Sequence, residues 1–483
     1  MSTIMKESEM TNNKMKSTRR KTMIMITLCV IHILWGMTYS FSVSFFPRVA
    51  IKHGLRIFEV GIVLAMSPFA GFITSSFWSI LLPSTGAKHM FWAGMTLEGG
   101  CVILLGALCY IYDRITFLVL AIILQFFQGT GASMQDVVVE STVMVIYRDN
   151  IASAKGFLET FAGIGYAIGP LIGAGLYHAG GYPLPYNVIG GITIVAASLA
   201  TCVLPNVGDK RAAPWKSMIK LAKSPYIILL CLGVFISVST QSFLETNYSV
   251  YLKIFHVGIV KSATILLLIA VFYAITGMIV GFAAEYFGYR KFIISGLFLA
   301  VVGLQLNASF PYWHIQPKLW HFIVGTSIIG VSLGAVMMPV SAEVVQYARF
   351  INIPLNNSKT DIGDDLGVYS SVSGLLQISR SLGMICGPSV GSTLTSIPTI
   401  GYSWTASIFG FVTLLLLLIF TVYIIFEKKW QSVNSTKVID DSGTYEKLPS
   451  IEEIEENPAY LKDDDESSSM ELKIAKDIVK INK

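Results

Sequence analysis

The chain is poor in charge. Only 13% of its 483 residues are Asp, Glu, Lys or Arg, against roughly 25% in a soluble domain. That deficit excludes an ordinary water-soluble fold. The net charge of +5 is small for this length, so nucleic acid is not an expected partner. Cysteine is sparse. Its six copies (Cys29, Cys101, Cys109, Cys202, Cys231 and Cys386) all fall in apolar stretches. No spacing among them makes a metal site or a disulfide framework, so they read as packed thiols. No phosphate loop and no nucleophile–base pair supports an enzyme. A cleavable signal peptide is not expected: residues 1–21 are polar and basic, and the apolar run after them is long enough to span a membrane.

What the chain has in abundance is apolar sequence. The hydrophobic fraction is 53%, and runs of 18 or more apolar residues recur along its length. They predict an all-α integral membrane protein with twelve transmembrane helices. Six fall within 22–205 and six within 225–426. Spans 115–146 and 319–346 are longer than a bilayer needs and are expected to tilt or project. Residues 1–21 form an N-terminal tail, 206–224 a linker between the halves, and 427–483 an acidic tail poor in large apolar residues and expected to be disordered. Lys216, Met218, Ile219, Lys220 and Leu221 can form a short amphipathic helix in the linker.

Orientation follows from Lys and Arg. Arg19, Arg20, Lys21, Lys155, Lys210, Arg211, Lys216, Lys220, Lys223, Arg290 and Lys291 share one side. The other side holds fewer, among them Arg48, Lys52, Arg56 and Arg114. The positive-inside rule then puts both termini, the linker and the tail in the cytosol.

One short pattern occurs twice. Gly165, Gly169, Pro170 and Gly173 repeat as Gly383, Gly387, Pro388 and Gly391, 218 residues on. A Gly-Pro pair inside an apolar helix bends it and frees a carbonyl, tolerated where other helices bury the site. Glycines four apart bare one face and let another helix approach closely. A repeat at this distance predicts two similar halves that rock against each other.

Gly281-Phe-Ala-Ala-Glu285-Tyr-Phe-Gly288-Tyr-Arg290-Lys291 resembles the cytosolic loop signature of the major facilitator superfamily. Physically, Gly288 allows a tight turn, Glu285 can pair with a nearby base, and Arg290 holds the next helix at the membrane edge. In the first half Gly86-Ala87-Lys88 survives, but Ser79 and Pro83 replace the expected Gly and Asp. The Gly-Pro pattern resembles that of the drug/proton antiporter branch. There it implies a place at the interface of the halves and exchange rather than uniport. Gln125-Phe-Phe-Gln128-Gly129-Thr-Gly131 resembles the helix-4 signature of that branch, with Gln125 where an Arg is usual. The stretches 86–95, 157–165 and 181–186 look like the vesicular amine transporter family, nearest its polyamine branch. The first span offers His32 where the monoamine branch has an Asp.

Ionisable residues inside spans are the functional candidates, since each is costly there. They are Glu98, Asp136, Glu140, Glu159, Glu245, Glu343 and Arg380. Surplus carboxylates attract cations. A carboxylate shared by a proton and an ammonium gives exchange without further machinery. Glu245 and Glu343 are the leading substrate or proton carboxylates, on helices that line the cavity in this fold, and the resemblance places acids there too. Glu98 is a third candidate. Glu159 is expected to cap its helix or pair with Lys155 one turn away. Arg380 is expected to neutralise Glu98 or Glu343, or else to bind an anionic substrate. Trp35, Tyr39, Tyr248 and Tyr251 offer cation–π surface.

The expectation is a secondary transporter exchanging protons for an organic cation, a polyamine or related amine, in a vesicular or lysosomal membrane. It needs no cofactor beyond the proton gradient. The alternatives are an anion or monocarboxylate symporter centred on Arg380, and a non-transporting sensor or trafficking protein. Tyr445-Glu-Lys-Leu448 and Asn457-Pro-Ala-Tyr460 resemble sorting signals and suggest clathrin-adaptor partners.

Overall fold

The structure is a computed structural model. It describes residues 2–205, 214–257, 259–309, 311–313, 316–351, 366–434, 438–439 and 445–446. Apolar runs with no water beside them must satisfy their own backbone, and a helix does so within one segment. The described helices are α1 (Ser2–Lys52), α2 (Ile57–Thr85), α3 (Ala87–Ala107), α4 (Arg114–Ile146), α5 (Ile151–Gly180), α6 (Pro183–Val203), α7 (Pro214–Ala222), α8 (Pro225–Tyr251), α9 (Ile259–Phe287), α10 (Tyr289–Asn307), α11 (Leu319–Phe350), α12 (Leu366–Ser396) and α13 (Gly401–Asn434). All but α7 are long, which gives the twelve expected, six on each side of the linker. Residues through Leu417 form one compact helical body. Beyond it α13 continues, and Val438–Ile439 pairs antiparallel with Tyr445–Glu446. The rest of the tail, with Tyr460, lies outside the described residues.

Eleven of these helices are long and apolar enough to cross a membrane. The twelfth long helix, α12, falls outside that set because it carries Arg380 and many serines. Ser370, Ser371 and Ser373 are fully buried, so protein rather than lipid surrounds this polar face. The two spans expected to be long are α4, with 33 residues, and α11, with 32. The amphipathic helix expected in the linker is α7. Leu221 is buried, Met218 accepts a hydrogen bond from the Ser79 hydroxyl, and Trp215 and Ile219 stay exposed.

The Gly-Pro repeat sets the packing of both halves. A methyl at Gly165 would enter the Ile33 carbonyl oxygen, one at Gly169 would meet Met37 and Ser40, and one at Gly173 would meet the Phe41 ring. In the second half Gly383, Gly387 and Gly391 stand in the same way against Phe235, Ser239 and Phe243. So α5 lies on α1, and α12 lies on α8, at backbone contact. This corrects the sequence expectation that the pattern forms the interface between halves. The bared face of each helix is filled from within its own half.

The seam between halves uses other faces. On α5 a methyl at Gly156 would strike the Gly277 carbonyl of α9, and one at Gly163 would lie 3.0 Å from Ala274 Cβ. On α12 a methyl at Gly374 would come within 2.6 Å of Ser79 on α2. The halves therefore meet along α5–α9 and α2–α12. The short turns before α3 and α10 both need a positive φ, which Gly86 (81°) and Gly288 (91°) supply. The turn thus persists in the first half although Ser79 and Pro83 depart from the loop pattern.

Candidate functional site

A cavity of about 390 Å³ lies between the halves. Helices α1, α5, α8, α9, α11 and α12 line it. Tyr39 and Ser44 on α1, Glu245 and Tyr248 on α8 and Leu267 on α9 are among its walls. These positions lie away from the end that carries the start of α1 and the linker. We call that the linker end and the opposite one the far end.

The cavity wall is aromatic on one side. The rings of Trp35 and Tyr39 are stacked with centroids 6.3 Å apart, and Tyr166 stands 5.2 Å from Tyr39. Trp35 and Tyr39 are one helical turn apart, so one face of α1 presents both. Opposite them, α8 presents Glu245. Gln241, one turn earlier, donates to its carboxylate at 2.8 Å. Among the described residues no Lys or Arg is paired with Glu245. An anionic oxygen beside aromatic faces favours an ammonium group, through charge and through cation–π attraction. The volume suits a small organic molecule.

Arg380 lines the same cavity, but its charge is engaged. Its guanidinium stands 3.7 Å from the Glu159 carboxylate of α5. The sequence pairs Arg380 with Glu98 or Glu343, and Glu159 with Lys155. The structure corrects both. Lys155 turns instead to Glu140, at 2.7 Å, and also donates to Ser341 of α11 at 2.6 Å. Spacing of one turn allowed Lys155–Glu159, but Glu140 from α4 lies closer in space.

These groups belong to a polar zone that ties the halves together on the linker side of the cavity. Ser341 donates to Glu140 at 2.7 Å, and Gln377 of α12 donates to Asp136 of α4 at 3.0 Å. The hydroxyls of Ser141 and Ser373 are 2.9 Å apart. Thr160 donates to the Ala274 carbonyl at 3.0 Å. Glu285 was expected to meet a base at the membrane edge. It accepts the backbone N–H of Ser153 at 2.9 Å, so the second-half loop grips the start of α5. His32 joins Asp136, Glu140, Lys155, Glu159 and Arg380 around a smaller cavity of about 40 Å³, with its Nδ1 on the Leu28 carbonyl. Among the described residues these bonds cross the seam on the linker side of the cavity. Sequence reasoning missed Ser341, Gln377 and Ser373 because nothing in a serine or glutamine marks which helix it will face.

Glu343 does not join Glu245. It is 3% exposed, accepts from the Tyr226 hydroxyl at 2.6 Å, and pairs with Arg290 Nε at 2.7 Å. Arg290 also lies over the Tyr226 ring at 4.8 Å. The loop base Arg290 therefore takes the acid assigned from sequence to substrate. The cause is helix depth: Glu343 sits late in α11, level with the start of α10. Glu98, by contrast, is buried near the middle of α3 and lines a third cavity of about 60 Å³ with Gln128, Asp136 and Arg380. Tyr251 is outside the main cavity and packs 4.0 Å from the Tyr402 ring. Tyr166 and Tyr273, not singled out from sequence, do line the cavity.

Residues 28–352 match the family model of the Major Facilitator Superfamily. The MFS-type transporter SLC18B1 of Rattus norvegicus is 28% identical over 382 residues, which is 78% of this chain and 81% of that protein. The chromaffin granule amine transporter of Rattus norvegicus is 21% identical over 295 residues, 60% of this chain and 52% of that one. The crystal structure of the human organic anion transporter MFSD10 (TETRAN) is similar with a TM-score of 0.65 at 14% identity, covering 83% of this chain and 99% of that one. At that identity the likeness is one of fold.

Proposed function

Because the chain belongs to the Major Facilitator Superfamily, whose members are transporters and not enzymes, we propose that it exchanges protons for an organic cation, a polyamine or related amine, by alternating access. The observation that carries this reading is Glu245. Its carboxylate faces a cavity of about 390 Å³ walled by Trp35, Tyr39 and Tyr166, with no basic partner among the described residues. A proton and an ammonium compete for that carboxylate. Proton uptake on the acidic side displaces the amine, and amine binding on the other side displaces the proton. The proton gradient is the energy source, and no cofactor is required.

The membrane is a vesicular or endolysosomal one, with the linker end in the cytosol. The distribution of Lys and Arg supports that orientation, and a relative named as a chromaffin granule amine transporter supports the setting. The far-end cavity then faces the lumen. The anion reading is weaker, because Glu159 already balances the one guanidinium in the cavity wall. The acids Glu140 and Glu159 are matched by Lys155 and Arg380. Glu98 and Glu245 have no basic partner among the described residues, so the site holds more acids than bases.

The test is uptake into liposomes with an acidic interior, comparing labelled spermidine with a labelled monocarboxylate, with and without a proton ionophore. Accumulation of spermidine that the ionophore abolishes supports the proposal. Transport of the monocarboxylate alone moves the site to Arg380. No flux of either favours a non-transporting role.

A further inference from the structure

The cavity beside Glu98 is too polar and too poorly satisfied to be packing space. Glu98 is 4% exposed, and among the described residues no hydrogen bond or ion pair reaches its carboxylate. Asp136 lines the same cavity, accepts a hydrogen bond from the Gln377 amide and feels the Arg380 charge, which it shares with Glu140 and Glu159. Gln128, 7% exposed, also lines it, and its Oε1 has no hydrogen-bond partner. A buried acceptor left unmatched is costly, and a buried carboxylate left without a cation or proton far more so. Three oxygen acceptors from α3 and α4 thus surround about 60 Å³, room for an ammonium head with a water.

This chamber adjoins the main cavity. Trp35, Tyr39, Arg380 and Met384 line both. Two of the four are aromatic rings that attract a cation, and the Arg380 charge is offset by Glu159. Carboxylates with no paired base at Glu245 and at Glu98, with Trp35, Tyr39 and Met384 between the two spaces, match a molecule with cationic ends and a methylene chain between them.

We propose that Glu98, Asp136 and Gln128 form a second ammonium subsite, so that a di- or polyamine binds with one head at Glu245 and the next in this chamber. The inference rests on the amine-exchange reading and names the substrate class of that site: amines with two or more charged nitrogens separated by a short aliphatic chain. A monoamine engages Glu245 alone. Selectivity for multiple charge then resides in the first half, on α3 and α4, and not on the helix that carries Glu245.

The test compares spermidine, putrescine and butylamine on purified wild-type protein and on Glu98→Gln and Gln128→Met. Affinity is read by equilibrium binding in detergent and by initial uptake rates in liposomes. Removing one charged hydrogen bond costs roughly ten- to a hundredfold in affinity. Both variants are expected to lose affinity for spermidine and putrescine by that amount relative to butylamine, so the diamine-to-monoamine ratio falls at least about tenfold. An unchanged ratio overturns the subsite and leaves the chamber to water. An equal loss for all three amines also overturns it, and makes Glu98 a coupling group. If the wild-type protein binds no amine, the functional reading fails and the subsite with it. If it binds amines and the ratio does not move, the subsite alone fails. Gln128→Met carries no charge change, so it keeps the test alive if Glu98→Gln does not fold.

Discussion

Arg380 on α12 stands 3.7 Å from Glu159 on α5, one charge from each half of the bundle. Both side chains are largely buried, at 18% and 12% exposure. Removing one partner leaves the other charge uncompensated in a low-dielectric setting, which costs on the order of 3 kcal/mol. Arg380→Met and Glu159→Gln are each expected to lower the unfolding temperature in detergent. The double variant should recover most of the loss, since an apolar or neutral pair replaces a buried ion pair at small cost. Single variants as stable as the wild type would mean that the pair does no structural work.

Two glycines on α5 separate the two kinds of packing. Gly169 lies against Met37 and Ser40 within the first half, and Gly156 lies against Gly277 across the seam. Gly169→Leu is expected to disrupt α1–α5 packing and cost about 3 kcal/mol or more of stability, seen as lost folded yield. Gly156→Leu should leave each half folded but keep the linker end from closing. A cysteine placed at Ser373 would then react faster with a polar thiol reagent than in the parent protein. Equal labelling in both backgrounds would place the closing contact elsewhere.

The sequence carried the architecture well because apolar length and Gly spacing are local properties. Twelve helices, the repeat and the bare face of α5 could all be read from single stretches. What that face meets could not. Glycine spacing says that something approaches Gly165, Gly169 and Gly173, but not whether it is α1 or the other half. The charged partners failed for the same reason. The sequence offers Arg380 either Glu98 or Glu343 as a partner, or an anionic substrate, whereas the packing brings it to Glu159. Glu343 was counted as a cavity acid, whereas its height on α11 delivers it to Arg290. Glu245 was legible as a candidate because an acid in an otherwise apolar span carries its own signal, and the cavity then formed around it. Gln128 carried no such signal, since an unsatisfied amide is visible only once its surroundings are known.

Closure at the linker end can be trapped. The Ser141 and Ser373 hydroxyls meet at 2.9 Å across the seam, close enough for a disulfide after small adjustment. In a background free of other reactive thiols, Ser141→Cys with Ser373→Cys should stop exchange when oxidised and recover with reductant. Full exchange by cross-linked protein would show that the halves need not part there.

The tail signals are testable apart from transport. Tyr445 is paired with Ile439 in a short ladder, and Tyr460 lies outside the described residues. Tyr445→Ala with Tyr460→Ala is expected to move the protein toward the cell surface, measured by surface biotinylation, with no change in flux per molecule. Unchanged vesicular residence would make both motifs accidental.

The most direct measurement follows protons rather than amine. Liposomes containing the protein are loaded with an acidic interior and a pH-sensitive dye, and spermidine is added outside. Proton-coupled exchange at Glu245 predicts that the interior becomes less acidic as spermidine enters, that the signal saturates, and that Glu245→Gln abolishes it in protein that folds like the wild type. Spermidine entry with no movement of protons, or an undiminished proton signal from Glu245→Gln, would contradict the account.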